Sequence, residues 1–147
     1  MNYFSIIAFS SGAAISAQAA MNAQLGILLR NPLLATCVAF FSSIIFTLLA
    51  LIVYTKEFPS IEAIKSVSVY LWFSGGILSA FSISMFYYLI PKMGIGQMMS
   101  FALTGQFLVA VIAVHFSWFG LPMKPITLIK MIGITILIIS IILINKE

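Results

Sequence analysis

The 147-residue chain has no aspartate, three glutamates, one histidine and one cysteine. Each shortage excludes something. Glu57 and Glu62 sit in the single polar loop and Glu147 in the tail, so no carboxylate pair is placed for acid/base work or for holding a metal. Cys37 has no second cysteine to pair with, which rules out an intrachain disulfide or a cysteine metal cluster and leaves a small apolar residue. No glycine-rich phosphate loop, Cys-His cluster or nucleophile elbow appears. The seven basic residues are scattered and form no stripe for nucleic acid. The expectation is a protein that is not an enzyme and carries no cofactor or metal.

What the chain has is apolar length. Hydrophobic residues make up 63% and charged residues 7%, where soluble domains run near 25% charged, so polar surface is too scarce to cover a soluble core. The charges cut the sequence into apolar runs over 1–29, 31–55, 66–91, 93–123 and 131–145. A spanning helix needs about 20 residues, so four runs suffice outright. The fifth reaches bilayer length only if its helix begins near Pro125 and Lys130 snorkels back to the headgroups. The reading is all-α, one transmembrane domain over 1–147, with spans at about 2–29, 33–54, 67–90, 95–116 and 125–144.

Local signals punctuate these spans. Ala17-Gln18-Ala19 after an apolar stretch imitates a signal-peptide cleavage site, but no basic residue precedes the stretch and Ser10-Ser11-Gly12 interrupts it. Arg30-Asn31-Pro32 offers a capping Asn and a Pro suited to the first helical position. Ser60-Ile61-Glu62 could start a short interfacial turn, and Pro91 is expected to end the third span ahead of a tight turn into the fourth. Tyr3, Tyr54, Tyr70, Trp72, Tyr87, Tyr88 and Trp118 fall near span ends, where an aromatic belt would place them. Five spans put Lys56, Lys65, Lys124 and Lys130 on one side and Arg30, Lys92 and Lys146 on the other. So even a split sets little orientation, leaving both a single and a dual topology open.

The polar residues inside the spans carry the functional question. Residues three, four, seven and eleven apart share a helix face. On the first span Ser11, Gln18, Asn22 and Leu25 make one stripe, and Gly12, Ser16, Ala20 and Ala23 make a small-residue strip that would let a neighbouring backbone approach. The fourth span carries Gln97, Ser100, Thr104, Leu108, Val111 and His115 on one face, with Gln106 nearly opposite. Thr36, Ser43 and Thr47 on the second span and Gly75, Gly76 and Ser79 beside Trp72 on the third complete the set. Lipid cannot satisfy carboxamides, so these faces would either line a shared polar pathway or be consumed as interhelical bonds. Span hydroxyls also commonly bond their own preceding turn. Geometry alone favours a structural bond for Gln106 and an interfacial place for His115.

The order and spacing of several short motifs resemble the YdcZ-like inner-membrane exporters, a half-size branch of the drug/metabolite transporter superfamily. They are Gln18-x-x-x-Asn22-Ala23-Gln24-Leu25-Gly26, Pro91-Lys92-Met93-Gly94, Thr104-Gly105-Gln106, His115-Phe116, Gly120-x-Pro122-x-x-Pro125 and Lys130-x-x-Gly133. Members often carry an acid just before the histidine and a glycine after the phenylalanine, where this chain has Val114 and Ser117. The resemblance implies a five-helix protomer acting as half of a ten-helix transporter, with the cavity between two copies or two paralogues. It also makes Gln106 a site candidate.

The combined expectation is a multi-pass protein of the bacterial inner membrane that moves a small polar or amphipathic solute by alternating access. It would work as a homodimer, antiparallel if topology is dual, or as a heterodimer with a paralogue. Gln18, Asn22, Gln97, Ser100 and Thr104 would hydrogen-bond the solute, Trp72 would wall it, Gln106 would assist and His115 would be the coupling candidate. The alternatives are a membrane scaffold or accessory subunit, or a passive pore, in which the polar groups only tie helices together.

Overall fold

The structure is a computed structural model that describes residues 2–120 and 122–146. Glu147 of the expected polar tail lies outside the described residues. Six α-helices appear in order: α1 Tyr3–Leu28, α2 Pro32–Tyr54, α3 Ile61–Ser66, α4 Val69–Met93, α5 Ile95–His115 and α6 Leu128–Ile144. No strand occurs among the described residues. Helices α1, α2, α4 and α5 are long and apolar enough to cross a membrane. At 17 residues, or about 25 Å, α6 stands at the short end of what a bilayer core needs. Its start differs from the expected Pro125. Thr127 takes the cap position, its Oγ1 accepting from the Lys130 N–H at 3.4 Å, and the helix proper opens at Leu128.

The chain divides into two compact units, Met1–Lys92 and Met93–Glu147. In the first, α1 and α2 form a hairpin whose joint follows from its residues. Asn31 Oδ1 accepts from the Leu33 and Leu34 N–H groups at 2.9 and 3.2 Å, and Pro32 fills the first helical position, where its missing N–H costs nothing. The Asn31 N–H reaches back to the Gly26 carbonyl at 2.9 Å while Arg30 takes a left-handed turn with φ 52, the bond pattern of a Schellman stop built without glycine.

So tight a joint presses the end of α1 onto the start of α2. Ala19, Ala23 and Gly26 are buried on α1, and Ala35, Thr36 and Ala39 on α2. A Cβ added at Gly26 would lie 3.4 Å from the Pro32 Cα and 3.6 Å from the Ala35 Cβ. This seam replaces the strip read from the sequence: of Gly12, Ser16, Ala20 and Ala23, only Ala23 is buried, and Gly12 has nothing within 4 Å of where a Cβ would be. The turn decides the contact, and it favours the face nearest the turn.

Between α2 and α4 the short α3 forms as expected, with Ser60 Oγ accepting from the Ala63 N–H at 3.2 Å. Helix α4 does not end at Pro91. It runs on to Met93, because a proline one turn from the end removes only the bond to the Tyr87 carbonyl. The chain leaves the helix at Gly94, whose φ of 83 an L side chain rarely adopts. In the second unit, α5 ends at His115 and the connection to α6 folds back on that end. The Lys124 N–H donates to the Val114 carbonyl at 3.1 Å, and the Ile126 N–H donates to His115 Nδ1 at 3.2 Å. Ser117, Phe119 and Gly120 all have positive φ along the way.

Candidate functional site

In the first unit the polar residues of α1 meet a partner that sequence reasoning placed elsewhere. Asn22 Nδ2 donates one proton to the Tyr87 hydroxyl oxygen at 2.9 Å and the other to Gln18 Oε1 at 3.3 Å. Tyr87 was expected in an interfacial belt; instead it is only 1% exposed and is the largest fully buried side chain. The helical repeat turns it inward beside Ser84, three residues earlier and also buried. The Ser84 hydroxyl sits 2.6 Å from the Ala80 carbonyl and 3.2 Å from Thr36 Oγ1, so its single proton is shared between its own helix and α2. Asn22 and Tyr87 each lie six residues before their helix ends, about 9 Å into the span.

Among the described residues, both side-chain bonds that cross between helices of this unit fall at the end marked by Gly26, Asn31 and Tyr87. Beyond it, α2 and α4 enclose an open groove of about 490 Å³ lined by Phe40, Ser43, Thr47, Gly76 and Ser79 among others. The sequence reading had named Ser43 and Thr47 on one span and Gly76 and Ser79 on another; the fold brings them together. Their three hydroxyls have no hydrogen-bond partner among the described residues. On the same two helices Thr36, Ser42 and Ser84 are bound to their own backbone, as are Ser10, Ser11 and Ser16 on α1. Trp72 lies one turn before Gly76 on the same face and is 57% exposed.

In the second unit Ser100 and Thr104 line a groove of about 600 Å³ between α5 and α6, opposite Gly133 and Ser140. Their protons are already spent: Ser100 Oγ donates to the Gln97 carbonyl at 2.8 Å and Thr104 Oγ1 to the Ser100 carbonyl at 2.7 Å. Ser100 Oγ also accepts from Asn145 Nδ2 at 2.9 Å. Asn145 lies one residue past the expected fifth span, yet its second amide proton goes to the Ile141 carbonyl at 2.8 Å, which anchors it to the end of α6. The carboxamides of Gln97, half-buried, and Gln106, exposed, have no partner among the described residues. His115 uses Nδ1 as an acceptor for Ile126, so a neutral ring carries its proton on Nε2. Among the described residues no group of three or more His, Cys, Asp or Glu is placed to hold a metal.

Ser84, Tyr87 and Asn145 are the polar residues whose inter-helix bonds sequence reasoning missed. Tyr88 turns outward, its ring 3.6 Å beneath the Lys92 ammonium.

Four helices long and apolar enough to cross a membrane, carrying amide and hydroxyl groups along their length, define a multi-pass membrane protein. Residues 3–143 match the family described as "Putative inner membrane exporter, YdcZ", and with nearly all of the chain covered, it belongs to that family. Its place is the inner membrane. No curated protein and no solved structure matches the chain significantly.

Proposed function

We propose that this protein is a five-span subunit of a dimeric transporter, with α6 as the fifth span, and that the dimer moves a small, uncharged polar or amphipathic solute by alternating access. The observation that carries the proposal is the Gln18–Asn22–Tyr87 cluster. Two carboxamides and a phenol bonded to one another at membrane depth still hold spare valences, the Gln18 amide protons and the Asn22 carbonyl oxygen. In lipid such valences are costly, and a solute would satisfy them. In the first unit Trp72 supplies an apolar wall; in the second, taken by itself, Gln97 offers a free carboxamide, Ser100 and Thr104 offer lone pairs only, and Gln106 is an auxiliary contact. The hydroxyls of Ser43, Thr47 and Ser79 extend the polar lining along α2 and α4.

The charge pattern argues for a neutral solute. Helices α1, α2 and α5 contain no charged residue, α4 has only Lys92 near its end, and α6 has only Lys130 in its first turn. A cation would enter this space without a counter-charge, at a cost of several kcal/mol. If a proton is coupled to transport, His115 is the sole imidazole able to carry it, through Nε2, because Nδ1 is held by Ile126.

A second reading is favoured by one set of bonds. Ser84 with Thr36 and Asn145 with Ser100 tie helices together with every one of their donor protons spent, as a scaffold or accessory subunit would require. A thermal-shift screen of the purified protein against sugars, amino acids, organic cations and organic anions separates the readings. A transporter of neutral solutes gives hits concentrated among uncharged polar compounds; a scaffold gives none.

A further inference from the structure

Away from those polar residues, Lys124 and Lys130 line one small pocket of about 180 Å³ whose remaining wall is Ala110, Val111 and Val114 of α5. We infer that this pocket binds an anionic phosphate group at the membrane surface, supplied by a phospholipid headgroup. Both ammonium groups lack a carboxylate: none of the described residues from 93 to 146 is acidic. Lys130 Nζ donates one proton to the Pro125 carbonyl at 3.1 Å, which fixes the side chain beside the loop and leaves two protons unspent. The Lys124 ammonium has no partner among the described residues, while its backbone N–H, bonded to the Val114 carbonyl, holds it against the end of α5.

The backbone adds to this charge. Lys130 stands in the first turn of α6, whose N–H groups carry the positive end of that helix dipole. The wall contributed by α5 is wholly aliphatic, so it suits the glycerol and first acyl carbons of a lipid better than the water shell of a free ion. Val114 is one residue from the end of α5 and Ala110 about 6 Å deeper, which spans headgroup and upper-chain depth. Basic pockets between helix ends are a recurrent means of holding anionic headgroups.

The test uses the full-length protein in delipidated detergent. Phosphatidylglycerol, zwitterionic phosphatidylcholine and inorganic phosphate are titrated in turn, with binding read by native mass spectrometry and by thermal shift. Wild type is expected to prefer phosphatidylglycerol over phosphatidylcholine by about 25-fold, with Lys124→Gln or Lys130→Gln each losing about 5-fold. The same charge change at Lys56 and Lys65 should leave the preference intact. Competition by inorganic phosphate at millimolar concentration would support the anion site and assign it to the free ion instead of the headgroup. Equal retention of the two lipids by wild type, a measurement that needs no variant to fold, would overturn the inference. So would an unchanged preference in a folded Lys124→Gln/Lys130→Gln double variant.

Discussion

Replacing Tyr87 with phenylalanine removes one oxygen from a ring that is otherwise sealed in the first unit, so the packing stays and one bond goes. Asn22 keeps its 3.3 Å bond to Gln18 through one amide proton, and the proton that pointed at Tyr87 is left unmatched. Measured hydrogen bonds between membrane helices average about 0.6 kcal/mol and reach about 1.7. A 2.9 Å bond to a fully buried hydroxyl belongs in the upper half of that range, so Tyr87→Phe should cost about 1 kcal/mol. Asn22→Ala breaks the same bond from the other side together with the bond to Gln18, and a double variant should lose little more than Asn22→Ala alone. The assay is reversible unfolding of the four species in mixed micelles, read as a double-mutant cycle with an interaction energy of about 1 kcal/mol. Simple additivity, with an interaction energy indistinguishable from zero, would refute the claim that these two side chains are joined.

Three further outcomes follow from the geometry. At Gly26 the room found for a Cβ is ordinary contact distance, so Gly26→Ala should be neutral or gain up to about 1 kcal/mol from helix propensity, while Gly26→Leu should open the hairpin and lower the melting temperature. Asn31→Ala deletes the acceptor for two N–H groups and should cost about 1 kcal/mol in the same assay. Gln97→Leu removes a carboxamide with no partner among the described residues, so stability should hold while affinity for a hit from the solute screen falls. A destabilised protein with unaltered affinity would instead assign Gln97 to helix tying.

The span pattern was legible because charge is so sparse here that ten charged residues bracket nearly every helix end. Caps were legible too: Asn31, Ser60 and Pro32 act as their types suggest. What could not be read was rotation about each helix axis. In a soluble helix the apolar face marks the core, but α1 has no single apolar face, so nothing local distinguishes Ala19 and Gly26 from Gly12 and Ala20 as the contact face. The turn at Arg30–Pro32 selects it. The same ambiguity hid Tyr87, whose type suits an interface as well as a buried bond. For hydroxyls, sequence leaves two fates open, and the fold assigns both: Thr36, Ser100 and Thr104 turn back on their own helices, whereas Ser43, Thr47 and Ser79 face a groove with protons unspent. Helix α6 came out shorter than expected because a threonine cap outcompeted Pro125 as its starting point.

The transport proposal is tested most directly by solute binding measured on three proteins: wild type, Asn22→Leu and Gln97→Leu, each checked for an intact fold. The account predicts that an uncharged polar solute raises the wild-type stability by about 2.7 kcal/mol at a hundredfold excess over its dissociation constant, and that both variants lose most of that gain at the same concentration. Stabilisation of equal size in all three, or by organic cations in preference to neutral solutes, would contradict it.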